Sequence, residues 1–273
     1  MRGAASSAPS CYDAEMPSWL ESDALAVVLL GAIRAGDVDG LARLLRDNPG
    51  ASRAVIERPN ATGPSFFYPL IAATVDWPGN HPRVAATITT LLADGADVNA
   101  RCSGQHRETA LHWAASCDDV DALDALLDAG ADIEASGAVI AGGTPLDDAV
   151  AFAQWRAARR LCERGARLAL WHAAALGLLE RLRQHFAEGE PPARYPWGGA
   201  SSPREAVQVA FWAACHGAQQ PAAAYLLERG ADPSWRSPWD GLTPLEAARR
   251  SDAARVVEWL GSLGSVEGRP GGA

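Results

Sequence analysis

Apolar residues in this chain come in short bursts at helical spacing, and each burst is cut off by a turn signal. Leu41 to Leu45, Leu91-Leu92, Leu126-Leu127, Leu161 and Leu226-Leu227 all sit in such bursts. After four of them the same punctuation follows: Gly95-Ala96-Asp97, Gly130-Ala131-Asp132, Gly165-Ala166 and Gly230-Ala231-Asp232. A glycine there ends a helix in a left-handed conformation that alanine resists. The pattern predicts a series of short helices stacked side by side. Such an array lets 273 residues form one folded body without one large central core.

A second phrase keeps register with the first. Thr109-Ala110-Leu111-His112-Trp113-Ala114-Ala115 returns as Thr144-Pro145-Leu146-Asp147-Asp148-Ala149 and as Thr243-Pro244-Leu245-Glu246-Ala247-Ala248. The threonines step by 35 and then by 99, three times 33, while the glycines step by 35, 35 and 65. Threonine at a helix start caps free amides, proline suits the first turn, and leucine begins the stripe that packs on a neighbour.

These two phrases resemble the ankyrin repeat family, in its bacterial-type form, whose repeat of about 33 residues is a β-turn followed by two antiparallel helices. The resemblance implies an all-α fold class: an ankyrin-repeat solenoid of about seven helix-turn-helix repeats with short β-hairpin-like tips. The expected organisation is a disordered tail over 1–18, an ankyrin repeat domain over 19–264 and a flexible tail over 265–273. Repeats are placed at about 22–57, 65–100, 107–136, 142–168, 169–190, 203–234 and 241–264. Three places depart from the pattern. The first repeat has a degenerate start, and an insertion (Asp76-Trp77-Pro78-Gly79-Asn80-His81-Pro82) splits the second. The fifth almost lacks its hairpin and precedes a Pro/Gly/aromatic loop from Glu190 to Pro203.

Composition narrows the function. The net charge of −9 opposes nucleic acid as a partner. All 24 cationic residues are arginine, which removes Schiff-base and P-loop lysine chemistry. Five cysteines, an odd number without a Cys-x-x-Cys pair, read as reduced core fillers. The first residues lack a signal-peptide core, and no run reaches the length of a membrane span, so a cytoplasmic location and no membrane partner are expected. No metalloprotease, nucleophile-elbow, P-loop or dinucleotide motif is present. No catalytic residue, bound metal or cofactor is therefore expected.

Two groups of residues carry candidate chemistry. Aligning the inner helices puts His112, Asp147, Trp171, Phe211 and Glu246 in one column and Trp113, Asp148, His172, Trp212 and Ala247 in the next, with neighbours about 8–10 Å apart. His112 should then face Asp147, and Asp148 should face His172. This polar cluster reads either as a small-molecule or metal site or as a network of satisfied buried groups. The other group is a partner surface for another protein, implied by the resemblance. It comprises the tips, with Arg101, Gln105, His106 and Arg107, and the inner-helix positions Ser116, Cys117, Phe152, Cys215 and His216. Loop tryptophans Trp77, Trp197, Trp235 and Trp239, with Arg236 and Asp240 beside them, join it because tryptophan and arginine dominate interface hot spots. A non-enzymatic protein-interaction module is the expected function; the alternative is a small-molecule or metal-binding site on His112, Asp147, Asp148 and His172, with enzymatic activity left open.

Overall fold

Helices in this protein start at a capping residue and end within a few turns at a residue of left-handed conformation. The computed structural model describes residues 16–104, 106–140, 142–188 and 202–266. They belong to two compact units, one ending at Asp132 and one beginning at Ile133. In the first unit the helices are α1 (Ala24–Ala35), α2 (Val38–Asp47), α3 (Val84–Ala93), α4 (Ala110–Ser116) and α5 (Val120–Asp128). The second holds α6 (Pro145–Ala151), α7 (Trp155–Glu163), α8 (Leu170–Ala175), α9 (Leu179–Glu188), α10 (Pro203–His216), α11 (Gln220–Leu227), α12 (Pro244–Arg250) and α13 (Ala254–Val266).

Two kinds of turn alternate. Second helices end at the glycines read from the sequence, Gly95, Gly130, Gly165 and Gly230, all at positive φ. Four first helices hand over to their partners through non-glycine residues in the same region, Asp118, Ala153, Ala218 and Asp252, with φ between 53 and 59°, whereas α1 and α8 turn at Gly36 and Gly177. These four side chains accept a conformation that costs roughly 1–2 kcal/mol. The apolar stripes behind them close the core, with Leu111, Leu123 and Leu126 in the first unit and Leu146, Leu161, Phe211 and Leu226 in the second all fully buried.

The second repeat departs most from the expected pattern. Its first helix is a six-residue 3-10 helix, Leu70–Val75, entirely buried. Pro69 precedes it, and the β-branched Ile71, Thr74 and Val75 crowd a wider helix. A three-stranded sheet, absent from the all-helical expectation, leads into it: β1 (Ser18–Leu20) pairs in parallel with β2 (Val55–Arg58), which pairs antiparallel with β3 (Phe66–Pro69). Pro17 and Ser18, assigned to the expected tail, belong to this sheet, since Val55 N–H donates to the Pro17 carbonyl.

An ion network fixes the sheet to the inserted loop. Arg58 reaches Glu21 at 2.8 Å and Asp76 at 2.7 Å, and Arg34 adds a longer contact to Asp76 at 3.4 Å. The Tyr68 hydroxyl also donates to Glu21. Burial alone would raise the Glu21 carboxyl, but the Arg58 and Tyr68 hydrogen bonds outweigh it and hold the group below its usual value. Loop 76–82 is further pinned when Asn80 donates from its backbone to Asp119 and from its side chain to the Cys117 carbonyl.

Replacing Leu146 by alanine should destabilise the protein by about 2–5 kcal/mol through the cavity left behind. Gly217→Ala should cost about 1–3 kcal/mol, because an added Cβ would lie 2.0 Å from the Ala175 carbonyl oxygen. Urea unfolding followed by circular dichroism checks both.

Candidate functional site

The third residue of four inner helices makes one recurring bond. Each accepts the backbone N–H three residues earlier: His112 Nδ1 from Thr109 at 3.1 Å, Asp147 Oδ2 from Thr144 at 2.6 Å, His172 Nδ1 from Ala169 at 3.0 Å and Glu246 Oε2 from Thr243 at 2.8 Å. This back-bond gives the amide at the helix start an acceptor, and where the cap is Thr109, Thr144 or Thr243 the threonine side chain completes a reciprocal cap that Ala169 cannot. His172 therefore occupies the position equivalent to His112 and Asp147. The sequence alignment had slipped by one residue there, because the fifth repeat lacks the hairpin that would have fixed its register.

The slip changes the pairing. Asp148 does not meet His172. It is fully buried and its Oδ1 accepts the Ile140 N–H, tying the hairpin tip to α6. His172 pairs instead with Asp147, Nε2 to Oδ1 at 3.1 Å. Because Nδ1 receives a backbone N–H, Nε2 carries the proton and donates. Burial pushes the Asp147 carboxyl up, yet the hydrogen bonds from His172 and Thr144 prevail and keep it below the usual carboxylate range. Both Asp147 oxygens are thus used in caps and repeat-to-repeat contact. Among the described residues no group of three or more His, Cys, Asp or Glu is placed to hold a metal ion.

The expected partner residues are distributed unevenly. In the first unit Trp77 stands 83% exposed on its pinned loop. Arg101, bonded to the Arg107 carbonyl at 2.8 Å, lies with exposed Arg107 and half-buried His106 on a tip closed by the Arg101–Thr109 bridge. In the second unit Phe152 is 41% exposed, whereas Cys215 and His216, expected on an open floor, are buried. Nor is Trp239 a free ring: it meets Trp212 edge-on at 4.9 Å and tilts against Trp235 at 5.8 Å. Asp240 is committed to Arg250 at 2.7 Å and accepts from Ser237 and the Leu242 N–H. Gln105 and Trp197 lie outside the described residues.

Phe152, His216, Trp239 and Asp240 line a feature that sequence reasoning missed, a pocket of about 500 Å3. Trp171, Trp212 and Trp239 form walls, Phe152 and Val139 the lip, and His216 part of the floor. The Val150 carbonyl can only accept, so His216 Nε2 donates to it at 3.2 Å while Nδ1 accepts from Ser251 at 2.7 Å. Burial, reinforced by the Arg250 charge, holds this imidazole down to about 4. It stays neutral, with its ring packed between Trp155 and Trp212 at 5.4 and 5.3 Å. The available signal was the inner-helix column carrying Trp212. Trp171 and Arg250 could not be joined to it without the fold.

A family model for ankyrin repeats, in three copies, matches residues 80–170, the stretch that carries the first two of these capped helices, α4 and α6. That stretch of the chain consists of ankyrin repeats. Over 101 residues the chain is 40% identical to the Neurogenic locus Notch protein of Drosophila melanogaster, covering 34% of this chain. The chain spans only 4% of the length of that relative. The crystal structure of the human ASB11 ankyrin repeat domain aligns over 85% of this chain and 96% of that one, with 17% identity and a TM-score of 0.46. Ankyrin repeats are generally protein–protein interaction modules. The described helices include none long and apolar enough to cross a membrane.

Neutral His216 makes the stability of this protein pH-dependent. The unfolded imidazole takes up a proton near 6.5 and the folded one only near 4, so stability is complete above about 6.5 and falls as the pH drops toward 4. In that window His216→Gln should flatten the dependence by about 1.4 kcal/mol per pH unit, one proton's worth. Denaturant melts at pH 7, 6, 5 and 4.5 read this directly. Trp239→Ala should cost more than about 1 kcal/mol, since the ring packs on Trp212 and is not free in solvent.

Proposed function

We propose that this protein is a non-enzymatic interaction module that holds a protein partner on its hairpin tips and inner-helix surface, and that it acts in the cytoplasm. The observation that carries the reading is the tip over residues 234–242 of the second unit. Trp235 lies half-buried against Trp239, and the Arg236 side chain beside them is 64% exposed. These are the residue types that dominate interface energetics, and here they are already ordered. Arg236 donates to the Gly241 carbonyl at 2.8 Å, and Ser237 N–H closes the tip onto Leu242. Little side-chain freedom is left to lose on binding. Support for the cytoplasm comes from the four described cysteines, which are free thiols, with Cys117 and Cys162 each raised to about 11 by burial.

The test is affinity capture from native lysate with the full chain beside a Trp235→Ala, Arg236→Ala double variant of equal helicity. A protein retained by the wild type should be depleted at least about tenfold by the variant, since two hot-spot truncations exceed 1.4 kcal/mol. Equal retention by both would remove the tip from the partner surface. Capture of nothing by either would sink the reading.

A further inference from the structure

The second-unit pocket has a chemistry of its own. Its walls come from helices α6, α8, α10 and α12 and from the tips before α6 and α12. Trp235 and Arg236, which carry the partner reading, do not line it. We propose that this pocket is a binding site for a neutral, ring-bearing apolar small molecule, of the size of a three- or four-ring fused system.

Size is the first argument. A cavity of about 500 Å3 lies inside the roughly 300–1,000 Å3 range of small-molecule sites and is larger than one side chain fills. Shape and surface follow from the walls, because the indoles of Trp171, Trp212 and Trp239 line the cavity and Phe152 stands at the mouth with 41% of its surface open. Planar rings gain most against such faces through offset or edge contacts.

Charge then selects among ring systems. The titratable groups facing the pocket are His216, Asp240 and Arg250. The imidazole uses both nitrogens inside the protein, toward Val150 and Ser251. Asp240 and Arg250 neutralise each other at 2.7 Å. A cationic ligand would find the Trp212 face already covered, since the Arg250 guanidinium lies 5.4 Å from that ring's centre. An anionic ligand would have to draw Arg250 from Asp240 and then sit beside an unpaired carboxylate. A neutral ring meets neither cost.

The walls also stand before any ligand arrives. Trp212 Nε1 donates to the Leu242 carbonyl at 3.1 Å, Trp239 packs edge-on against it, and Asp240 is anchored by Ser237 and by the Leu242 N–H. A preformed apolar pocket requires little rearrangement on binding.

The experiment titrates the full chain with Nile red, a neutral fused-ring dye, reading dye emission directly and by energy transfer from tryptophan. Ethidium and anilinonaphthalene sulfonate serve as cationic and anionic controls, and N-acetyltryptophanamide as a mimic of a partner side chain. Nile red should bind saturably at one site. The charged dyes should bind at least tenfold more weakly. Phe152→Ala, which removes the lip, and Ala213→Trp, which fills the cavity from α10, should each weaken Nile red at least tenfold with unchanged circular dichroism. If Ala213→Trp fails to fold, Phe152→Ala decides alone. The Trp235→Ala, Arg236→Ala variant should bind the dye like wild type, which separates this proposal from the partner surface. Unchanged binding in Phe152→Ala, equal affinity for a charged dye, or loss of the dye in the tip variant would each overturn the proposal. Displacement by N-acetyltryptophanamide at concentrations below those of Nile red would also overturn it, by showing that the pocket takes a side chain.

Discussion

The backbone amide at the start of four inner helices needs an acceptor where neighbouring repeats pack against it, and much of this structure follows from how that need is met. The residue three positions on reaches back for it, and it is a histidine, an aspartate or a glutamate depending on the repeat. A buried amide left unmet costs about 1–3 kcal/mol, comparable to a large fraction of what one short helix contributes. The polar column inside an apolar stack is thus a consequence of helix geometry. Once His172 has spent Nδ1 on its own helix, Nε2 is free to donate across to Asp147 and join two neighbouring repeats.

That constraint explains why the polar cluster looked like chemistry in the sequence. Two imidazoles and two carboxylates in adjacent columns satisfy the composition of a catalytic or metal site. Geometry separates them: Asp147 is filled by Thr144 and His172, and Asp148 serves the hairpin of Ile140. The pocket of the second unit is lined by indoles, with its Asp240 and Arg250 charges paired with each other.

The family was legible because glycine and threonine carry position-specific backbone information. Gly95, Gly130, Gly165 and Gly230 mark left-handed helix ends, and Thr109, Thr144 and Thr243 mark helix starts. Other features carried weaker marks. Asp118, Ala153, Ala218 and Asp252 take the same left-handed conformation without being glycine, so no sequence rule announces them. Val55-Ile56 and Phe66-Phe67-Tyr68, separated by a segment containing Asn60, Gly63 and Pro64, do fit a hairpin, but the helical period on either side overshadowed them. The fifth repeat lost its register because Ala169 replaces the threonine that anchors the others. The pocket needed residues from four helices at once, a combination that no local pattern encodes.

Every residue of the pocket falls between Val139 and Arg250. Repeat families change length by gaining and losing whole copies, and a gain or loss upstream of Ile133 would alter the length of the chain while leaving each wall of the cavity in place. The aromatic chamber is in that sense a self-contained block, set apart in sequence from the repeats before Ile133.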